Sequence, residues 1–197
     1  MEVKIYPYIN IGDEEGMKIY LVRHGQTEAN YEGRMQGRSD QYSLTEAGVR
    51  DTKKLRECLK EKPIDLCITS PLKRTWETAI ILAGDRVYIE EDTRLIERDL
   101  GEFEGKNRTE YDAKKYWDFE LNSNDQGVER VRDIISRCEY FLKNLKEKYP
   151  DGNILIVSHG AVIRVLHHLL IGTDFQKEKD LTKLKIDNSF FQEYNVK

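Results

Sequence analysis

The stretch Lys18–Asn30, KIYLVRHGQTEAN, decides the fold class of this 197-residue chain. Its first six residues form a short apolar run that is typical of a buried strand in a parallel sheet. The run ends abruptly in a cation, an imidazole and a glycine, which are Arg23, His24 and Gly25. Because ligands bind outside the carboxyl ends of parallel strands, we expect these residues to border a ligand site.

A second stretch repeats this pattern late in the chain. Residues 156–162 read IVSHGAV, again an apolar strand followed by a polar residue and His-Gly. We therefore expect His24 and His159 to open into one crevice at the same edge of the sheet. The chain has four histidines, and two of them stand at equivalent strand ends, which favours a functional role over core packing.

Strands and helices alternate from Met17 onward. Strands are predicted at 18–23, 64–69, 86–90, 152–160 and 189–196. Helices are predicted over about sixteen residues after the cap Thr45, from the cap Ser70 to Gly84, and at Asn107–Phe119, Gly127–Tyr149 and Ala161–Ile171. This order predicts a single-domain three-layer α/β/α sandwich, in which helices cover both faces of a mostly parallel sheet.

Residues 1–16, MEVKIYPYINIGDEEG, differ from the rest of the chain. Met17 stands directly before the first clear strand, so we interpret residues 1–16 as an extension or a misassigned leader and residues 17–197 as the domain. The alternative is an added strand that Pro7 confines to a sheet edge, since proline cannot donate to a strand ladder.

Composition excludes several classes of protein. The formal net charge of −4 argues against a general binder of nucleic acid or anionic membranes. No apolar stretch approaches the roughly 18–20 residues of a membrane-spanning helix. Cys58, Cys67 and Cys138 are widely spaced and odd in number, which favours free thiols in a cytoplasmic protein.

Arginines are expected at the same crevice. Arg23 precedes His24, and Arg74 lies near the start of the helix that follows the strand ending in ITS. A helix N-terminus attracts anions, and the planar fork of arginine suits phosphate oxygens. The sequence has neither a GxxxxGK[ST] motif nor a compact cluster of metal ligands, so we expect a phosphate pocket without a metal or a cofactor.

Four ordered motifs carry a resemblance to a known family: RHGQTEAN, SPLKRTWETA, LIERDLGEFEG and VSHGAVIR. Together they resemble the histidine phosphatase superfamily, also called phosphoglycerate mutase-like, and the resemblance runs from Met17 to the C-terminus. It implies a metal-independent phosphomonoesterase that acts on small phosphorylated metabolites through a phosphohistidine.

The resemblance also implies roles for individual residues. His24 is the nucleophile, Arg23, Arg74 and His159 hold the phosphoryl group, and Glu97 is the acid and then the base. His159 is expected to be cationic in the transition state. The implied substrate-binding set is Arg23, Asn30, Gln36, Gly37, Arg74, Glu97, His159 and Gly160. Asp99, Glu102 and Glu104 compete with Glu97 for the acid-base role, although each is more typical of a solvated loop charge.

Two other functions stay open. The short, mixed-charge segment 106–129 favours a phosphatase, whereas Arg98 resembles the mutase pattern. An inactive phosphate-binding module is the alternative from a different class. The partner we expect is a small phosphomonoester, and the sequence predicts no oligomeric state.

Further side chains have two interpretations. Tyr111, Tyr116, Trp117 and Phe119 could form an apolar lid over the substrate or pack against the core. His167 and His168 are interpreted as packing or surface residues.

Overall fold

The structure is a computed structural model that describes residues 9–10, 16–178 and 180–196. Within these residues one sheet contains six strands: β1 (Ile9–Asn10), β2 (Met17–Arg23), β3 (Leu66–Thr69), β4 (Tyr88–Glu91), β5 (Asn153–Ser158) and β6 (Phe191–Val196). The α-helices of the same residues are α1 (Glu28–Tyr31), α2 (Glu46–Cys58), α3 (Lys73–Ala83), α4 (Ala113–Tyr116), α5 (Val131–Lys148) and α6 (Gly160–Leu170). None of them is both long and apolar enough to cross a membrane.

The strands lie in the order β1–β6–β2–β5–β3–β4. Strands β2, β5, β3 and β4 are parallel to one another, whereas β6 pairs antiparallel with β2. The two strands that end in the His-Gly motifs are direct neighbours, with Arg23 opposite Ser158. The sheet therefore brings His24 and His159 to the same edge.

Strand β2 separates two hydrophobic cores. Ile19 and Leu21 pack on one face of the sheet with residues of α5 and α6. Tyr20 and Val22 pack on the other face with residues of α2 and α3. Because successive side chains of a strand point to opposite faces, an apolar run without alternation needs a helical layer on each side. The three-layer α/β/α prediction is confirmed.

The predicted helix Asn107–Phe119 is wrong. The chain instead makes a 3₁₀ turn at Arg108–Glu110 and the short helix α4. Asn107 accepts a hydrogen bond from the N–H of Thr109, and Asp112 accepts one from the N–H of Lys115. Two capping side chains five residues apart start two short turns rather than one helix.

Two predicted helix starts are also wrong. The helix predicted from Gly127 begins at Val131, because Gln126 and Gly127 have positive φ angles of 57° and 77°. Ser70 does not cap α3, whose first N–H, that of Lys73, donates to Asp40 at 2.5 Å. The predicted caps Thr45 and Gly84 are confirmed.

The prediction for residues 1–16 falls mostly outside the described residues. Ile9 and Asn10 form an edge strand parallel to β6. The division into an extension and a domain at 17–197 stays a prediction.

Candidate active site

A cavity of about 340 Å³ opens at the carboxyl ends of β2 and β5. Most of the predicted site residues line it, namely Arg23, His24, Asn30, Gln36, Gly37, Arg74, Glu97 and Gly160. His159 is fully buried and lies against His24 instead of lining the cavity, with the ring centroids 5.4 Å apart. The topology thus brings together residues up to about 140 positions apart.

The ring of His24 is held by its own backbone. His24 is 2% exposed, and its Nδ1 lies 2.7 Å from the carbonyl oxygen of Gly25. A carbonyl oxygen only accepts, so Nδ1 carries the proton and Nε2 keeps its lone pair. The backbone N–H of Gly25 donates to the hydroxyl of Thr78, which fixes this turn against α3. His24 is therefore presented as a neutral imidazole with one nucleophilic nitrogen.

His159 has a different partner. Its Nε2 lies 2.7 Å from the hydroxyl oxygen of Ser70, and both residues are fully buried. Its Nδ1 is buried without a hydrogen-bond partner among the described residues. Ser70, which the sequence predicted as a helix cap, thus holds the ring of His159 through its hydroxyl. This role of Ser70 was missed, because no sequence signal links positions 70 and 159.

Burial keeps both histidines neutral. It is the largest cause that lowers the pKa of His24 and of His159 well below the usual 6.5. The positive charges of Arg74 and Arg23 lower the pKa of each ring further. At neutral pH both imidazoles are therefore neutral. A bound phosphate dianion would supply opposite charge and favour protonation of His159.

Two arginines are fixed by backbone carbonyl groups. Arg23 donates from Nη1 to Ile186 at 2.5 Å, and Arg74 donates to Ser39 at 2.7 Å and to Gly37 at 2.8 Å. The Nε of each is buried without a partner among the described residues. Burial, and then the charge of Arg108, lowers the pKa of Arg23 to about 10, so it stays protonated. Fixed cations with unpaired donors are suited to bind an anion.

Asn30 is oriented by an asparagine near the chain's last strand. Its Oδ1 accepts hydrogen bonds from the backbone N–H of Thr27 and from Nδ2 of Asn188 at 2.9 Å. Because the oxygen is used in this way, the Nδ2 donor of Asn30 is left for the cavity. Asn188 also donates to the carbonyl oxygens of His24 and Gly25. It therefore positions the side chain of Asn30 and the loop at His24 and Gly25 together.

The carboxylate of Glu97 lies at the N-terminus of α6. Its Oε1 accepts the backbone N–H of Arg98 at 2.9 Å and that of Ala161 at 3.2 Å. The N–H groups at the start of the helix thereby hold Oε1 in place. A Cβ at Gly160 would lie 3.6 Å from Cζ of Arg23 and 3.9 Å from Oε2 of Glu97. Oε2 is thus the freer oxygen and lies close to the cationic side of the cavity.

The three competing carboxylates do not line the cavity. Asp99 accepts the backbone N–H of Gly101, and Glu104 accepts that of Arg38 at 2.7 Å. Glu102 is exposed. Of the four candidates, geometry therefore favours Glu97.

The aromatic residues divide between the two interpretations. Tyr111 and Trp117 line the cavity, whereas Tyr116 is buried beside Phe103 and Phe119 packs on Phe175. The cavity wall also contains Arg34, Arg98, Arg108 and Arg164. The sequence analysis considered only Arg98, for its resemblance to the mutase pattern, and predicted none of the four as a site residue. Within the described residues no group of three or more His, Cys, Asp or Glu side chains is placed to hold a metal ion.

A neutral histidine and fixed arginines that line one cavity at the end of a parallel sheet are suited to phosphoryl transfer. The chain belongs to the histidine phosphatase superfamily, branch 1, whose family model matches residues 19–189. It is a phosphatase enzyme by this membership and by its phosphatase relatives.

Individual relatives agree with this membership. Phosphoserine phosphatase 1 of Hydrogenobacter thermophilus is 31% identical over 82% of this chain and 79% of that protein. The 2,3-bisphosphoglycerate-dependent phosphoglycerate mutase 2 of Gloeobacter violaceus is 31% identical over 86% of this chain and 81% of its own. The phosphoserine phosphatase of Entamoeba histolytica, solved in complex with 3-phosphoglyceric acid, has a TM-score of 0.75 at 26% identity and covers 90% of this chain and 89% of its own.

Proposed function

We propose that this protein is a metal-independent phosphomonoesterase that hydrolyses small phosphorylated metabolites through a phosphohistidine on His24. The observation that carries the proposal is the hydrogen bond from Nδ1 of His24 to Gly25, which leaves Nε2 as a free nucleophile in an arginine-lined cavity. We also propose a cytoplasmic location, because all three cysteines are free thiols, as is usual in a reducing compartment.

In the first step, Nε2 of His24 attacks phosphorus in line with the leaving oxygen. The bond from phosphorus to the ester oxygen breaks as the bond to nitrogen forms. Arg23, Arg74 and Asn30 donate to the equatorial oxygens, where negative charge accumulates. Nδ1 of His159, which has no other partner among the described residues, provides a further donor when the neutral ring carries its proton on that nitrogen.

The departing alkoxide takes a proton from Glu97, for which Oε2 is the freer oxygen. In the second step the resulting carboxylate removes a proton from water, and the hydroxide attacks the phosphohistidine. Inorganic phosphate leaves, His24 is neutral again, and Glu97 carries a proton for the next cycle. One carboxyl group therefore acts as acid and then as base.

The size of the cavity limits the substrate. At about 340 Å³ it lies at the lower end of small-molecule sites, which span roughly 300–1,000 Å³. We infer a substrate of a few carbon atoms, such as phosphoserine or 3-phosphoglycerate, which appear in the names of relatives.

The test is single-turnover hydrolysis of ³²P-labelled substrate in EDTA, with acid-labile, base-stable label sought on the protein. We expect labelled wild-type protein and burst release of phosphate. His24→Ala is expected to lose both signals. Glu97→Gln is expected to slow both the appearance of the label and its release, because the amide can neither protonate the leaving oxygen nor accept a proton from water. His168→Ala, a histidine packed against Phe175 outside the cavity, is the matched control and keeps normal turnover.

The outcome separates the alternatives. Transfer of label to phosphoglycerate without phosphate release would assign the mutase reaction. Saturable phosphate binding without label or turnover would assign the inactive binding module. Unchanged hydrolysis in His24→Ala would refute the phosphohistidine mechanism.

A further inference from the structure

The carboxyl group of Glu97 must be held in a fixed place, yet its backbone lies in a segment without regular structure. Residues 97–99 form neither a helix nor a strand. Two N–H groups hold Oε1 of Glu97, but they place the carboxylate only if the backbone of this segment is itself fixed. Irregular segments are more mobile than helices and strands unless other groups hold them. The position of the acid thus depends on what holds this backbone.

Arg38 contacts this segment with all three nitrogens of its guanidinium group. Its Nε donates to the backbone carbonyl oxygen of Glu97 at 3.2 Å. Its Nη1 lies 3.5 Å from Oδ2 of Asp99, and its Nη2 lies 3.3 Å from Oε2 of Glu129. Arg38 is not among the residues that line the cavity. It therefore holds the backbone of the acid from outside the substrate site.

The carboxylate of Glu129 does not depend on Arg38 for a partner. Its side chain is 10% exposed, and it accepts hydrogen bonds from Nε of Arg137 at 2.8 Å and from Nη2 at 3.1 Å. It also accepts the backbone N–H of Asp99 at 3.2 Å. The ion pair of Glu129 with Arg137 stays intact when Arg38 is replaced, whereas the pairs that Arg38 makes are partly exposed and contribute little to stability. The contacts of Arg38 are therefore better explained by the placement of Glu97 than by stabilisation of the fold.

The backbone on either side of Arg38 holds the arginine that binds phosphate. The carbonyl oxygens of Gly37 and Ser39 accept hydrogen bonds from Nη2 and Nη1 of Arg74 at 2.8 Å and 2.7 Å. The backbone N–H of Arg38 donates to Oε1 of Glu104 at 2.7 Å, which fixes the turn itself. Three consecutive residues thus hold Arg74 through their backbone and the acid through one side chain.

We propose that Arg38 is a positioning residue for Glu97 and sets the distance between this carboxyl group and the phosphoryl group that Arg74 binds. The inference rests on the proposed function, because it takes Glu97 as the acid that protonates the leaving oxygen. Proton transfer requires heavy atoms within about 2.6–3.2 Å of each other, and a displacement of about 1 Å can lower a rate about 100-fold. Arg38 therefore contributes to turnover although it lies outside the cavity.

Two substrates with different leaving groups separate positioning of the acid from a general loss of structure. Benzyl phosphate releases an alkoxide, which needs a proton from the acid, whereas p-nitrophenyl phosphate releases a phenolate that leaves without one. In EDTA we expect Arg38→Gln to lower kcat/KM for benzyl phosphate by about 10- to 100-fold and for p-nitrophenyl phosphate by less than about threefold. Arg38→Lys keeps the charge but lacks the planar fork, so it is expected to recover part of the loss.

The matched control is Arg86→Gln. Arg86 is an exposed arginine outside the cavity that also donates to two backbone carbonyl oxygens, those of Lys60 at 2.7 Å and Leu59 at 3.1 Å. We expect this variant to keep both kcat/KM values. Equal losses on both substrates in Arg38→Gln would overturn the inference, because they indicate a structural role only.

A variant that combines Arg38→Gln with Glu97→Gln tests whether Arg38 acts through Glu97. If it does, the double variant hydrolyses benzyl phosphate as fast as Glu97→Gln alone, within about threefold, because no acid is left to position. Losses that multiply in the double variant would overturn the inference, since they show that the two residues act independently.

Glu97→Gln alone separates failure of this inference from failure of the proposed function. We expect it to lower kcat/KM for benzyl phosphate about 100-fold or more, with a much smaller effect on p-nitrophenyl phosphate. If Glu97→Gln shows this selective loss and Arg38→Gln does not, the inference alone is overturned. If neither variant is selective, the acid role of Glu97 in the proposed function fails, and the positioning role of Arg38 fails with it.

Discussion

Replacing Ser70 by alanine tests how the second histidine is held. The Oγ of Ser70 lies 2.7 Å from Nε2 of His159 and 3.4 Å from the backbone nitrogen of Leu72. The hydroxyl can accept from Leu72 while donating to Nε2, which places the proton of His159 on Nδ1. That tautomer presents a donor to the phosphoryl group. The opposite tautomer would present a lone pair, which repels an anion.

The structure gives the magnitude of both effects. Ser70 and His159 are fully buried, so Ser70→Ala leaves a polar nitrogen without water or a partner. The cost is about 1–3 kcal/mol in the free energy of unfolding. For a chain of this size that lowers Tm by about 2–12 °C. Weakening one preorganised donor is expected to lower kcat by about 10- to 100-fold, with a smaller effect on KM.

The control is Ser158→Ala. Ser158 is equally buried, precedes His159 and donates to the carbonyl oxygen of Leu95 at 2.8 Å. We expect the two variants to lose similar stability in urea unfolding, but only Ser70→Ala to lose kcat in steady-state assays. Equal kcat losses in both, or a normal kcat in Ser70→Ala, would refute the assigned tautomer.

Three other predictions concern pH, backbone geometry and anion binding. The pKa values of His24 and His159 are lowered in the folded protein, so as pH falls below 6.5 both histidines become protonated in the unfolded chain but not in the folded one. We therefore expect the free energy of unfolding to fall by up to about 1.4 kcal/mol per pH unit for each histidine. A pH profile as steep in His24→Asn as in wild type would contradict this. In Gly37→Ala the new Cβ clashes with the side chain of Glu104 at a positive φ and displaces a carbonyl that holds Arg74, so kcat/KM is expected to fall more than tenfold. The control Gly33→Ala also has a positive φ but nothing within 4 Å of the new Cβ, so it is expected to lose about 1 kcal/mol of stability and no activity. Inorganic phosphate at 100 times its Kd is expected to add about 2.7 kcal/mol to the free energy of unfolding of the wild type. If the same phosphate concentration raises the Tm of Arg23→Gln as much as that of the wild type, Arg23 does not bind the phosphate.

Much of the fold and the core of the site could be predicted from local sequence. Strands β2 and β5 are unbroken apolar runs, and their polar ends mark the edge where a parallel sheet binds ligands. His24 and His159 were predicted because each lies at such an end. The family resemblance then assigned Glu97, and the structure separates it from three neighbouring carboxylates by its place at the cavity wall.

The rest depends on contacts that no local pattern encodes. The bond of Ser70 to His159 joins positions 89 residues apart, and that of Asn188 to Asn30 joins positions 158 apart. The error at Asn107–Phe119 has another cause, since competing side-chain caps decide helix continuity there and apolar spacing does not.

The antiparallel strand β6 has a consequence for how the protein is made. Arg23 bonds through its backbone N–H to Phe190 and through its guanidinium to Ile186, and β2 lies between β5 and β6 in the sheet. A ribosome adds about 5–20 residues per second, so Ile186 and Phe190 are synthesised on the order of ten seconds or more after His24. During translation His24 is therefore synthesised well before the residues that bond to Arg23. The growing chain is therefore expected to be inactive until β6 has left the ribosomal exit tunnel.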